Sequence, residues 1–132
     1  MAPKKKKPSR KNLVKKLDTI FSQYIRQRHA NNGVAKCITC GKQEHWKKLQ
    51  CGHFMSRKHF NTRWDEINCQ VQCAGCNVFK YGEQYLFSVW LDSHIGPGTA
   101  EAMAQKSKQL NKLKDFELIE LINFYKEKVA EL

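Results

Sequence analysis

The chain has 132 residues, 41% of them apolar, and carries 24 lysines and arginines against 12 acidic residues, a formal charge of +12. Length and apolar content suffice for one ordinary domain with a modest core and exclude a wholly disordered polypeptide. No run approaches the roughly 18 consecutive apolar residues of a membrane span, and no apolar signal-peptide core follows the first lysines, so the expectation is a soluble, cytoplasmic protein with no membrane partner.

A charge of this sign favours a polyanion, most simply nucleic acid, because each cation that neutralises a phosphate releases a condensed counterion. Lys4, Lys5, Lys6, Lys7, Arg10 and Lys11 crowd into residues 1–11. Nothing apolar after Ala2 offsets the entropy of ordering there, so the stretch reads as a disordered basic arm, either solubilising or phosphate-binding. From Asn12, a candidate N-cap, Leu13, Val14, Leu17, Ile20, Phe21, Tyr24 and Ile25 recur at three- and four-residue steps. They predict an amphipathic helix over 12–31 that ends near Asn31, Asn32 and Gly33, where left-handed backbone is easily adopted.

Residues 34–82 form the cysteine-bearing centre. Residues 49–54 and 67–72 are short enough for strands, separated by the polar, cation-rich loop MSRKHFNTRWDE, and lead into a helix opening at Cys73. Residues 83–132 read as a helical C-terminal part. The pattern over 82–94 is helical, Gly96, Pro97 and Gly98 punctuate the chain, and further helices start at Thr99 and Asp115. In the last of these, Leu118, Ile119, Ile122, Tyr125 and Val129 make an apolar stripe, read first as intramolecular core and second as a homodimer interface.

Six cysteines with paired spacing and no secretory signal point to metal binding in a reducing compartment rather than to disulfides. Zinc takes four ligands in a tetrahedron, and a CxxC pair supplies two from one tight turn. Cys37 and Cys40, followed by Gly41, fit such a knuckle. Cys73 and Cys76 fit a second, on a helix whose one face also carries Asn77 and Lys80. This is the two-part layout of a treble-clef zinc site. Other sets stay open: Cys51 and His53 with Cys37 and Cys40, or Cys69 in place of one of the later pair. Otherwise Cys51 and Cys69 act as small buried apolar residues. A zinc-ligating His53 could not serve as a base.

A hairpin feeding the helix at Cys73 gives a ββα unit in which His53 ends one strand, Asn68 lies on the next and Asn77 reaches up from the helix. Phosphodiester hydrolysis needs an activated water, a cation to neutralise developing charge, and donors to hold the strand. His53 can take the proton from water. Asn68 can hold the imidazole through its side chain or the backbone nearby, and Asn77 offers a neutral amide oxygen to Mg²⁺ or Mn²⁺. Arg57, Lys58 and Arg63, with Lys80 on the helix, would grip phosphates. His45, His59 and His94 read as surface residues, and Trp46, Trp64 and Trp90 as packing.

The blocks CITCG, GHF with Arg57 four residues after His53, RWDEIN and QCAGCN resemble the HNH nuclease superfamily, and specifically the phage NinG (Rap) recombination proteins, which carry related CxxCG, GHY, RFxExN and QCxxCN blocks. The resemblance implies an α+β fold: a small zinc-stabilised treble-clef or ββα-metal (HNH-like) core flanked by α-helices, making 12–132 a single nuclease domain. It implies a divalent-cation-dependent DNA endonuclease acting on branched recombination intermediates or nicking DNA, with His53 as general base, Asn68 as the central asparagine and Asn77 as the last residue of the triad. Many HNH nucleases carry an aspartate immediately before the base where Gly52 stands, so another group must complete the cation site. Glu66 is the first candidate and Asp65 the second, unless His53 itself binds the metal. NinG-like sequences can carry histidine where Gln70 stands. The competing function is a non-catalytic zinc-containing module that binds nucleic acid.

Overall fold

The computed structural model describes residues 7–132. Its longest element, α1 (Arg10–Gln27), buries Leu13, Leu17, Phe21 and Ile25 along one side because they recur every fourth residue. The helix begins two residues earlier than expected. Ser9, not Asn12, is the N-cap, its hydroxyl accepting the Asn12 N–H at 3.2 Å. Of the expected basic arm, residues 1–6 lie outside the described residues, while Arg10 and Lys11 belong to α1 and Arg10 pairs with Asp115 at 2.8 Å. The helix also stops sooner, at Gln27, and Asn32 and Gly33 take left-handed φ values of 52° and 79° to turn the chain into the first strand.

β1 (Val34–Lys36) and β2 (Gln43–His45) form an antiparallel hairpin that carries the first cysteine pair in its connection. Three-residue strands are too short to show alternation, so the sequence did not announce them. β3 (Gln50–His53) and β4 (Cys69–Gln72) form a second antiparallel pair, with His53 opposite Cys69 and Gln50 opposite Gln72. Both are shorter than the expected stretches, and their connection contains a short helix, α2 (Phe60–Arg63). The helix expected at Cys73 is a single π-helical turn over Gly75–Phe79. Tyr81, Gly82 and Glu83 follow with φ of 53°, 87° and 50°, a left-handed run that reverses the chain into α3 (Gln84–His94). Then come α4 (Thr99–Ser107) and α5 (Asp115–Ala130), beginning where the sequence places them.

α5 packs on α1, and Leu118, Ile122 and Tyr125 join Leu13, Leu17, Phe21, Ile25, Trp64 and Cys69 in one cluster. Ile119, expected in that stripe, is exposed because the buried side of α5 runs through 118, 122 and 125. Each fully buried apolar side chain of this kind contributes about 1.5–3 kcal/mol. A second cluster gathers Ala35, Leu49 and Val71 around Cys37, Cys73 and Cys76, and a third joins Phe87, Leu91 and Ala100. The molecule is thus a mixed α+β domain with two small sheets. No helix among the described residues is long and apolar enough to cross a membrane.

The β3–β4 pair has one tight point. Gln72 is fully buried, its amide donating to Thr39 Oγ1 at 3.1 Å and to the Gly82 carbonyl at 2.9 Å, which ties the first cysteine turn to the exit of the π-helical turn. Its Oε1 lies over Gly52, where an added Cβ would sit 1.9 Å away. Gly52→Ala should therefore displace Gln72 and cost about 1–3 kcal/mol, as overpacking of a closed site does. Urea denaturation at saturating zinc measures it, and an unchanged midpoint would mean that Gln72 is not held in place.

Candidate functional site

The four sulfurs of Cys37, Cys40, Cys73 and Cys76 all lie within 4.8 Å of one another. Cys40 Sγ and Cys73 Sγ are 3.6 Å apart, close to the edge of about 3.8 Å that follows for a tetrahedron with Zn–S bonds of roughly 2.3 Å. The backbone holds both turns open toward the centre. Gly41 N–H donates to the Cys37 carbonyl at 2.9 Å with φ of 82° at the glycine, and Cys76 N–H points at Cys73 Sγ at 3.4 Å. Burial opposes ionisation of Cys37, but hydrogen bonds from the Thr39 hydroxyl and the backbone at Cys73, Cys40 and Thr39 outweigh it and bring its pKa down to about 6. Burial, with the neighbouring thiols, pushes Cys76 up to about 12. The cluster can hold a metal ion such as zinc, and its donor set of four sulfurs suits that ion. Cys51 and His53 stand apart from it, grouped with Cys69 instead.

Beside the cluster, α1, β3, the loop after it and the π-helical turn enclose a cleft of about 780 Å³ lined by Asp18, Gln50, Cys51, His53, Arg57 and Asn77 among others. His53 ends β3, and its Nε2 lies 3.0 Å from the Arg63 carbonyl. A carbonyl only accepts, so Nε2 carries the proton and Nδ1 is the nitrogen with a free lone pair. Burial lowers the pKa of the ring below its usual 6.5, as do the Arg57 and Arg63 cations, against the raising effect of the Arg63 carbonyl and the Asp18 carboxylate. The imidazole is therefore neutral at pH 7.

Asn77 sits in the π-helical turn immediately after Cys76, with its N–H on the Cys73 carbonyl at 2.9 Å, so the cysteine turn orients it directly. Its amide nitrogen donates to Gln50 Oε1 at 2.8 Å, and its Oδ1 has no hydrogen-bond partner among the described residues. That leaves a carbonyl-type oxygen in the cleft. Asn68 is fully buried and does not line the cleft. Its Oδ1 accepts from Met55 N–H at 2.7 Å, and its amide donates to the Met55 and Thr62 carbonyls at 3.0 and 2.9 Å. It staples the β3–β4 connection one residue away from the Arg63 carbonyl that holds His53, so its grip on the ring runs through the backbone.

The carboxylates expected to complete a cation site are elsewhere. Glu66 accepts from the Tyr125 hydroxyl at 3.0 Å and faces Arg28 at 3.7 Å, in a separate depression lined by Arg28, His29 and Gln70. Asp65 caps the backbone N–H groups of Ile67 and Asn68 and pairs with Lys106. Arg63, expected to grip phosphate, is committed inward: Nε and Nη2 meet Asp18 at 3.0 and 2.5 Å, and Nη1 donates to the Arg57 carbonyl. Arg57 lines the cleft with an exposed side chain, while Lys58 and Lys80 are exposed beyond it. Asp18 is the residue that sequence reasoning missed. It also accepts from Trp64 Nε1 at 2.9 Å, and its one local signal is that it is the sole acid in an otherwise cationic helix.

The family model described as Bacteriophage Lambda NinG protein matches residues 2–132. Neither the curated proteins nor the solved structures returned a match.

Because metal binding supplies much of the folding free energy of such centres, purified protein should hold about one zinc per chain, and Cys76→Ser should lose both the zinc and cooperative unfolding. Metal analysis with a thermal melt decides this; a chelated chain that melts as the zinc-loaded one does would remove the structural role of the ion.

Proposed function

The chain belongs to the NinG family, and from that premise and the geometry of its cleft we propose that it is a metal-dependent DNA endonuclease of the HNH type, hydrolysing phosphodiester bonds in branched recombination intermediates. The observation that carries the reading is His53: an imidazole whose Nε2 lies 3.0 Å from the Arg63 carbonyl, in one cleft with the Asn77 amide oxygen and the Arg57 cation. On this reading the cysteine cluster, the β3–β4 pair and the π-helical turn form a treble-clef, ββα-metal core.

In the reaction, His53 Nδ1 takes the proton from a water aligned on the phosphorus, and the Arg63 carbonyl steadies the imidazolium that results through the Nε2–H it already accepts. Arg57 holds a non-bridging phosphate oxygen, and Lys58 and Lys80 attract the flanking strand without reading its sequence. Asn68 is a positioning residue that keeps the Arg63 carbonyl in register. Asn77 would hold a Mg²⁺ or Mn²⁺ ion through its amide oxygen, with water and phosphate oxygens as its other ligands, and the ion would supply charge neutralisation at the leaving oxygen. Gly52 fits this economy, because an aspartate side chain there would collide with Gln72.

The second reading, a non-catalytic zinc module that binds nucleic acid, draws on the absence of Glu66 and Asp65 from the cleft lining and on the engagement of Asp18 by Arg63. His53→Ala separates the two. Mg²⁺-dependent cleavage of branched DNA should fall by about 10²- to 10⁴-fold, while DNA affinity in a gel-shift assay stays near that of the parent. Cleavage at the parental rate would exclude the proposed base. The pH profile is a further check. The base works in its neutral form and burial lowers its pKa below 6.5, so activity should fall as the pH drops, with the midpoint of that decline below 6.5. A midpoint above 6.5 would contradict the assigned environment of the ring.

A further inference from the structure

We infer that Cys51, His53 and Cys69 form a second, exchangeable site for a soft divalent ion such as Zn²⁺, and that an ion bound there withdraws the His53 imidazole from catalysis; the latter half rests on the nuclease reading above. Three of the strongest ligands for such an ion meet on one face of the β3–β4 pair. His53 and Cys69 are direct cross-strand partners, and Cys51 is two residues before His53 on the same side of the strand. One ligand atom from each lies within 4.8 Å of the other two.

The surroundings suit reversible occupancy rather than a permanent clasp. Cys51 and His53 line the cleft, so an ion can reach the site from solvent, while Cys69 lies fully buried beneath them. Three ligands with one side open toward the cleft leave a coordination position for water, unlike the closed four-sulfur cluster. Both cysteines bind as thiolates, so the bound unit of two thiolates, one imidazole and a doubly charged cation carries no net charge. That neutrality fits a half-buried position better than a lone cation would. Occupancy also competes with the present contacts, because Cys69 Sγ and His53 Nε2 share the Arg63 carbonyl at 3.4 and 3.0 Å. Such competition places the affinity below that of the four-sulfur cluster and makes the site responsive to ion concentration.

The experiment titrates Co²⁺ into reduced, zinc-loaded protein, in which the four-sulfur cluster is already filled, and follows thiolate-to-cobalt charge-transfer absorption. The parent should bind about one Co²⁺ per chain with that absorption. Cys51→Ala and His53→Ala should each weaken the binding by at least the roughly 10- to 100-fold that loss of even an outer-sphere partner costs. Because Cys69 is fully buried, the half-buried Cys51 is the informative substitution, and a far-ultraviolet spectrum checks its fold. No thiolate band in the parent, or an equal band in Cys51→Ala arising from exchange at the four-sulfur cluster, would overturn the site. For its consequence, Zn²⁺ beyond one equivalent should inhibit Mg²⁺-dependent cleavage in the parent, and Cys51→Ala should need correspondingly more. Zinc-insensitive cleavage despite a bound second ion would overturn the withdrawal of His53. A chain that binds the second ion but cleaves no DNA in any metal would refute the nuclease reading and the regulatory role, leaving the site itself supported.

Discussion

The contact on which the rest of the architecture depends is the meeting of four sulfurs from two turns that lie 33 residues apart in the chain. The hairpin that carries the first pair has strands of three residues, and of the second pair Cys73 precedes, and Cys76 lies in, a single winding of π-helix. Neither has enough hydrogen bonds or apolar surface to stand alone. Joined through the cysteines, they enclose Ala35, Leu49 and Val71 and fix the start of β3 and the end of β4 at one place. Everything in the cleft is measured from there. Asn77 is the next residue after a cysteine of the cluster, and His53 is three residues along a strand whose first residue, Gln50, already holds the Asn77 amide.

A second level of constraint works from the opposite side of the cleft. The Arg63 carbonyl must sit at one position to hold His53, yet it belongs to the four-residue helix α2, too short to be rigid by itself. Three side chains brace it. Asn68 takes the carbonyl of Thr62, Asp18 takes the guanidinium of Arg63 and the indole N–H of Trp64, and the Trp64 ring packs into the cluster shared by α1 and α5. The helical flanks thus do more than cover a core: α1 delivers Asp18 to the segment that aims the imidazole. Substitutions at Asp18 or Asn68 reach His53 without touching it.

What could be read from the sequence was local, and what could not was long-range. The four-residue recurrence of Leu13, Leu17, Phe21 and Ile25, the Gly96–Gly98 break and the two CxxC spacings each report on backbone within one or two turns, so α1, α3, α4, α5 and the cysteine cluster were legible. The position of Glu66 cannot be read from the sequence, because its partner, Tyr125, is 59 positions away and no spacing rule links them. Arg63 carried the same ambiguity, since an arginine in a cationic loop looks alike whether it faces a phosphate or, as here, an aspartate 45 residues earlier. The group that sets the tautomer of His53 is a main-chain carbonyl, which leaves no mark on residue type at all.

The electrostatics of the cleft follow from these pairings. Of the charged residues on its lining, Asp18 is the sole carboxylate, and its charge is consumed by Arg63 behind it. Arg26 is held over the Trp46 ring at 5.0 Å, and Arg57 is exposed, so the cations keep the advantage at the surface an incoming ligand meets. A low-dielectric wall strengthens that field, because the side of the cleft nearest α1 is built on Phe21 and Leu49. Such a field would draw an anionic backbone toward His53, whereas a free carboxylate at the same place would repel it. On the proposed nuclease reading, the placement of Glu66 outside the cleft leaves the approach of a phosphate unopposed, and what would remain for a divalent ion is the uncharged oxygen of Asn77 together with the charge the phosphate itself would bring.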